Sequence, residues 1–257
     1  MFTLPNEPQT VGQTLDTGFK LYFQSFKHVL LISAIMNGMW IITSFLYGPQ
    51  QAIDQQIAGD DIAGLIAIII VLALMYFVLQ VAMIERIHRF TQGDLGTLGD
   101  ALNRGKKLFL PMLGASIMNM LVIGIGMLLL VIPGIVLAIY MFLFPAALVI
   151  EGSGPVQSLQ RSMDLVKQNW WRCMLILTVV GTVYMILYSV VILALSLSIA
   201  LSTPEDIAAF ALYGDLAGSV IATILTPLLF SMVLVIFNDL KLRREGGDLE
   251  ARINEMD

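Results

Sequence analysis

The chain has 257 residues, of which 58% are apolar and 13% charged, with a formal net charge of −5 at pH 7. These proportions exclude a soluble globule, because too few hydrated side chains remain to cover the surface of a protein this size. The net charge averages unlike regions of the chain and identifies no partner; a nucleic acid is not expected.

Apolar residues recur at helical spacing in Val11, Leu15, Phe19, Tyr22 and Phe26, while Asp16 falls elsewhere on the wheel. This predicts an amphipathic helix lying in the headgroup plane and leading into a first span. A polar stretch precedes that span and the first basic residue is Lys20, so no cleavable signal is expected and the span itself acts as one. Stretches without Asp, Glu, Lys or Arg then run from His28 to Ile53, Ile62 to Ile84, Leu108 to Ile150, Cys173 to Pro204 and Leu216 to Asn238. Each can cross hydrocarbon roughly 30 Å thick, which takes about 20 helical residues. The third would extend about 64 Å as one helix and must turn back. Ile132-Pro133-Gly134 is the predicted reversal, since Pro lacks an N–H and Gly tolerates tight-turn backbone angles.

The expectation is an all-α polytopic protein, a single domain over residues 1–257. Its six spans are His28 to Tyr47, Ile62 to Ile84, Leu108 to Val131, Ile135 to Ile150, Cys173 to Leu197 and Leu216 to Asn238. All 14 Lys and Arg then fall on one side: two before the first span, five from Glu85 to Lys107, three from Glu151 to Arg172 and four after Asn238. The other side carries Asp54, Asp60, Asp61, Glu205 and Asp206, with Asp215 near the boundary. The positive-inside rule places both termini in the cytoplasm. The lone Cys173 excludes an internal disulfide and reads as packing.

Three inner segments resemble one another: Val11-Gly-Gln-Thr-Leu15-Asp-Thr-Gly18, Leu98-Gly-Asp-Ala-Leu102-Asn-Arg-Gly105 and Val156-Gln-Ser-Leu159-Gln-Arg-Ser162. Each has a small residue three positions after the leucine and reads as a short interfacial helix. The closing spans end in Glu85, Glu151 and Asp239. Three repeats are expected, near residues 9–90, 94–151 and 154–244, followed by a cytoplasmic tail within 239–257. Their common orientation implies a pseudo-threefold axis along the membrane normal. The alternative is that leucines, small residues and boundary charges recur by chance in any membrane protein.

At Val131-Ile-Pro133-Gly134-Ile-Val, Phe144-Pro145, Glu151 and Ser158-Leu-Gln-Arg161-Ser162-Met-Asp-Leu165, then Asn169-Trp170-Trp171, the chain resembles a known family. It is similar to the YciC-like bacterial inner-membrane proteins and to the membrane domain attached to some glycerophosphodiester phosphodiesterases. The resemblance covers about Leu108 to Leu177. It implies a multi-pass bacterial inner-membrane protein tied to envelope or lipid homeostasis, and it imports no phosphodiesterase activity.

Catalytic chemistry is sparse. Glu85 and His88 share a helical face, which suits orienting a base, but also suits a charged helix end at headgroups. A metal site would need three or four ligands that the sequence does not group, so no cofactor and no enzyme activity are expected. The spans carry mild polarity in Asn37, Gln80, Asn119, Thr178, Thr182, Tyr184, Ser189, Thr223 and Thr226. These groups either bond between helices or line a solute path in which Asn37 and Asn119 face the pseudo-axis. At the inner face, Glu85, Glu151 and Asp239 are expected either to form a charge lattice with Arg86, Arg89, Arg104, Arg161 and Arg243, or to leave those arginines, with Lys106, Lys107, Lys241 and Arg244, to hold anionic lipid. Membrane lipid is the expected partner; no protein partner is read from the sequence.

Overall fold

A computed structural model describes residues 2–47, 59–200 and 207–254. Every regular element among them is helical: α1 (Val11–Tyr47), α2 (Gly59–Gln92), α3 (Leu98–Leu129), α4 (Val131–Met141), α5 (Phe144–Glu151), α6 (Pro155–Val166), α7 (Trp170–Ala200) and α8 (Ile207–Asn254). Among the described residues, five stretches are long and apolar enough to cross a membrane: Ile66–Gln92, Leu98–Leu129, Val131–Glu151, Trp170–Ser198 and Tyr213–Gly246. The chain is therefore a multi-pass membrane protein. Asp54, Glu205 and Asp206 lie outside the described residues, and of Asp60 and Asp61 only the backbone, in the first turn of α2, is described.

α1 runs antiparallel along α8. Ser33 Oγ donates to the Thr223 carbonyl at 2.7 Å, and Ser219 Oγ donates to the Asn37 carbonyl at 3.0 Å. Nearer its start, Gly18 lies against Met232. Partner numbers thus fall along α8 as they rise along α1.

The amphipathic segments differ from expectation. The first two do not lie as separate interfacial helices; they are the opening turns of α1 and α3, which run unbroken into their spans. The stretch from Lys20 to His28 contains neither Pro nor Gly, so nothing interrupts the helical ladder there. Pro111 in α3 does not break it, since neighbouring helices can re-satisfy freed backbone groups at membrane depth. Only the third segment, α6, is separate. It starts with Pro155 at its first position and is divided from α7 by a turn in which the Asn169 amide donates to the Val166 carbonyl at 2.8 Å.

The reversal between α3 and α4 falls at Leu130, which is extended at φ −162° and ψ 143°. Pro133 and Gly134 sit just after it, inside the first turn of α4. Pro is tolerated there because first-turn amides have no intrahelical acceptor. Gly134 serves close approach: a Cβ on it would lie 2.5 Å from Met127 Cγ, and one on Gly126 would lie 3.1 Å from the Gly134 Cα. The predicted turning residues therefore set the packing of the hairpin, while the residue that turns is Leu130.

The returning stretch Val131–Glu151 is not one helix. Pro145, near the start of α5, cannot donate to the preceding turn and its ring clashes there, so α4 ends at Met141. Ser162 of α6 repairs the break, with its Oγ donating to the Tyr140 carbonyl at 2.8 Å and accepting the Leu143 amide at 3.1 Å. A backbone interruption between spans is thereby satisfied without water.

Burial is concentrated at the end of the bundle that carries Glu85, Glu151 and Asp239. Buried residues there include Met83, Ile87, Leu148, Leu165, Cys173, Ile236 and Leu240, whereas Leu128, Leu129, Met185 and Leu193 are more than 70% exposed. Gly105 of α3 lies against the backbone carbonyl of Val78 in α2, and a Cβ would also come within 2.9 Å of Val78 Cγ1. Gly105→Ala is therefore expected to destabilise the solubilised protein by about 1–3 kcal/mol, because rigid backbone must shift. Gly124→Ala, where a Cβ meets nothing within 4 Å, changes stability by no more than about 0.5 kcal/mol. Thermal unfolding of the two variants side by side checks the contrast. Ser162→Ala leaves both the Tyr140 carbonyl and the Leu143 amide unpaired and is expected to cost about 1–3 kcal/mol in the same measurement.

Candidate functional site at the basic end

The carboxylates predicted to close each returning span are all engaged. Glu85 accepts from Arg89 Nε at 2.7 Å, one helical turn along α2, and Arg104 Nε of α3 approaches it at 3.9 Å. Arg104 Nη2 also donates to the Val149 carbonyl at 3.4 Å. Glu151 takes a two-pronged contact from Arg161 of α6, with Nε donating to Oε2 at 3.1 Å and Nη2 to Oε1 at 3.0 Å. Lys241 Nζ of α8 lies 3.5 Å from the same carboxylate, and Glu245 joins it by contacts to Arg161 at 3.4 Å and Lys241 at 3.8 Å. A planar guanidinium facing a carboxylate this way fixes orientation as well as charge. Partial burial of Arg161 works against its charge, but the hydrogen bond and attraction of Glu151, reinforced by Glu245, outweigh it and raise its pKa.

Asp239 is the most enclosed of the three carboxylates, at 3% exposure. Arg172 Nε from the first turn of α7 and Arg243 Nε from one turn along α8 both donate to its Oδ2 at 3.1 Å. Its Oδ1 accepts the Gln9 amide at 2.7 Å. Both arginines also bond the Gln9 carbonyl, and Arg172 Nη2 reaches Thr14 Oγ1 at 2.8 Å. Next to it, Asn238 Nδ2 donates to the Pro5 carbonyl at 3.0 Å. The segment ahead of α1 is thus strapped across the ends of α7 and α8.

The structure brings Glu85 to Arg89 and Arg104, Glu151 to Arg161, and Asp239 to Arg243. Arg86 stands apart from the carboxylates, donating through Nε to the His28 carbonyl at 2.6 Å and tying α2 to α1. Arg172, Glu245 and Gln9 are not among the residues singled out from sequence, and Lys241, expected to hold lipid, is instead placed against Glu151. The acid–Arg spacing of four in Glu85/Arg89 and Asp239/Arg243 is legible in the chain, whereas Arg172 and Asp239 are 67 residues apart and nothing local links them.

Glu85 and His88 do not form an acid–base pair. The carboxylate is taken by Arg89, and His88 Nε2 faces Gln92 Nε2 at 3.0 Å. Among the described residues, no group of three His, Cys, Asp or Glu is placed to hold a metal ion. Cys173 is buried in the cluster that packs Leu143, Leu165 and Ile236 together. Asn37 and Asn119 are not brought together. Asn37 Nδ2 bonds the Ser33 carbonyl at 2.9 Å and Thr226 Oγ1 at 3.2 Å, and it lines a polar pocket of about 180 Å³ with Tyr184, Tyr188, Asp215 and Ser219. Asn119 does not line that pocket, and its Oδ1 is buried without a partner. Thr178, Thr182 and Ser189 bond carbonyls of their own helix, whereas Ser33, Asn37, Ser219 and Thr226 bond between α1 and α8.

A multi-pass helical protein whose basic end is closed by three guanidinium-bound carboxylates is the class these observations define. The chain belongs to the family described as a domain of unknown function, DUF7847, whose model matches residues 29–240. No curated protein and no solved structure matches it.

Breaking a buried ion pair costs about 3–5 kcal/mol because the remaining charge is left uncompensated. Asp239→Asn keeps some hydrogen bonding, so an expected loss of about 3 kcal/mol sits at the low end of that range. The substitution should also expose the segment before α1 to limited proteolysis, with N-terminal sequencing locating the cut ahead of Val11. For the partly exposed Arg161–Glu151 pair, a double-mutant cycle of Arg161→Glu and Glu151→Arg is expected to return a coupling of about 1 kcal/mol. Arg161→Glu combined with Asp239→Arg should show no such rescue, since Arg161 is not bonded to Asp239.

Proposed function

We propose that the protein is a non-catalytic bacterial inner-membrane protein that holds anionic lipid at its basic face and acts in envelope or lipid homeostasis. In this reading α1 is the sixth crossing, because it follows α8 antiparallel over the described length, and both termini are cytoplasmic. The basic end then lies at the inner leaflet, where surface potential is negative.

The observation that carries the lipid reading is a division among the cations. Arg89, Arg104, Arg161, Arg172, Lys241 and Arg243 each have a carboxylate partner within the protein. Lys27, Lys106, Lys107, Lys167 and Arg244 are exposed and make no ion pair among the described residues. Each such cation contributes about 1 kcal/mol beside an anionic leaflet. Trp171, 70% exposed at the start of α7, adds an interfacial anchor. Arg89, Arg104, Arg161 and Arg243 are on this account a lattice that holds the helices, and the lipid contact passes to Arg244 and the exposed lysines.

We also infer that the three units are true repeats. In cyclic order, the small residue of each amphipathic segment meets the closing helix of the unit before it: Gly18 against Met232, Gly105 against Val78, and Ser162 against Leu143. The first two partners stand seven residues before Asp239 and Glu85, and the third stands eight before Glu151. The YciC-like resemblance gains a physical sense as well, since Pro145 and Ser162, both among its shared residues, meet at the break in the returning stretch.

One observation favours a solute path as the second reading: the polar pocket at Asn37, Tyr184, Tyr188, Asp215 and Ser219. Mass spectrometry of lipids retained after mild solubilisation tests the first. Wild type is expected to enrich anionic lipid over the bulk membrane, and the variant with Lys27, Lys107, Lys167 and Arg244 all changed to Gln is expected to lose most of that enrichment. Retention that mirrors the bulk in both sinks the lipid reading, and solute flux in proteoliposomes that vanishes in Asn37→Ala would then favour the second.

A further inference from the structure

The α2–α3 pair leaves an apolar groove of about 530 Å³ on the flank of the bundle. Val71, Leu74 and Val78 form one wall, at the spacing that places residues on one face of α2. Leu102 and Phe109 form the other wall from α3, and Lys106 sits between them. Gly105, next to that lysine, packs against the Val78 backbone, so the floor is held by rigid helix contact and the groove exists without a ligand to prop it open.

Its orientation is fixed by the chain. Val78 stands seven residues before Glu85 and Val71 seven residues before Val78, so the groove extends about 10 Å, at about 1.5 Å per residue, from the Gly105–Val78 contact away from the charge lattice. Lys106 is exposed and makes no ion pair among the described residues, whereas Arg104, two residues earlier, is occupied with Glu85 and the Val149 carbonyl. A lysine at that depth extends its ammonium toward the headgroups while its methylenes stay along the groove.

We infer that this groove is a site for one anionic membrane lipid, with an acyl chain lying between α2 and α3 and the headgroup phosphate paired with Lys106. Charge complementarity selects the occupant: the walls accept hydrocarbon, and the one charged side chain that lines the groove is a cation. A second copy of the chain would have to bring both an apolar ridge and an acid at the correct depth. Glu85, Glu151 and Asp239 are already committed to Arg89, Arg161, Arg172 and Arg243. The inference rests on the lipid reading above and narrows it, separating one tightly held lipid from the diffuse layer attracted by Lys27, Lys107, Lys167 and Arg244.

The test is a titration of the delipidated, solubilised full chain with phosphatidylglycerol, and in parallel with phosphatidylcholine, read by native mass spectrometry. Wild type is expected to bind one phosphatidylglycerol at least tenfold more tightly than the next, and to show no such step with phosphatidylcholine. Lys106→Gln removes the step, Lys106→Arg keeps it, and Leu74→Trp, which fills the groove without altering charge, weakens it by about tenfold or more. Both neutral-groove variants are first checked for an unchanged melting temperature without lipid; if Leu74→Trp does not fold, Val71→Phe takes its place. A tight step that survives Lys106→Gln and the groove-filling variant overturns the site. The same is true of a dimer in wild type that disappears in the groove-filling variant, which would assign the groove to a second copy. Loss of the step in the four-site Gln variant but not in Lys106→Gln would leave the lipid reading standing and remove the groove from it.

Discussion

A carboxylate withdrawn from water is stable only where cations and amide donors reach it, and three helices of this protein carry such a group at the basic end. Asp239 makes the demand most severe. At 3% exposure it requires Arg172 from α7, Arg243 from α8 and the Gln9 amide from the segment ahead of α1. Arg172 in turn donates to the Gln9 carbonyl and Thr14, and Arg243 to the Gln9 carbonyl. No partner can be withdrawn without leaving a buried charge uncompensated. The constraint therefore fixes where α7 begins, how α1 approaches α8 and where the preceding strap runs. Glu85 and Glu151 impose gentler versions of it on α3 and α6.

The same constraint explains why the basic residues divide as they do. A guanidinium can satisfy a carboxylate and a carbonyl at once, through several donors in a fixed plane, and five of the six lattice cations are arginines: Arg89, Arg104, Arg161, Arg172 and Arg243. Lysine, a hydrated point charge on a flexible stem, is found outside the lattice at 27, 106, 107 and 167. With the exceptions of Lys241 inside the lattice and Arg244 outside it, arginine builds the scaffold and lysine is left on its exposed surface.

How much of this could be read from the chain follows from the range of each interaction. Five long apolar spans were legible, because uncharged stretches of sufficient length are stable in hydrocarbon once their backbone is helical. So were the three boundary acids and the pairing of two of them with an arginine one turn on. The reversal was placed within three residues, but Pro133 and Gly134 proved to shape the hairpin's packing while Leu130 turns. The continuity of α1 and α3 was missed because amphipathic spacing is the same for a helix lying in the headgroups and for the first turns of a crossing one. Arg172 against Asp239, and Ser162 against the break at Pro145, depend on tertiary proximity across 67 and about 20 residues, for which a single sequence carries no local signal. Asn37 and Asn119, expected to face a common axis in the solute-path reading, have different neighbours: Asn37 lines the polar pocket and Asn119 does not.

Packing density completes the argument about which end matters. Toward the lattice, side chains from α1, α2, α5, α6 and α8 are buried to a few per cent, while at the α3–α4 hairpin tip and along α7 large apolar side chains remain open. In water such a surface would be an aggregation site; in hydrocarbon it carries no penalty, because lipid is as apolar as leucine. The protein therefore needs tight protein–protein packing only where charge must be organised, and relies on lipid for the rest of its contacts. A bundle built in this way is most rigid at the lattice, and the groove beside Lys106 extends away from that end.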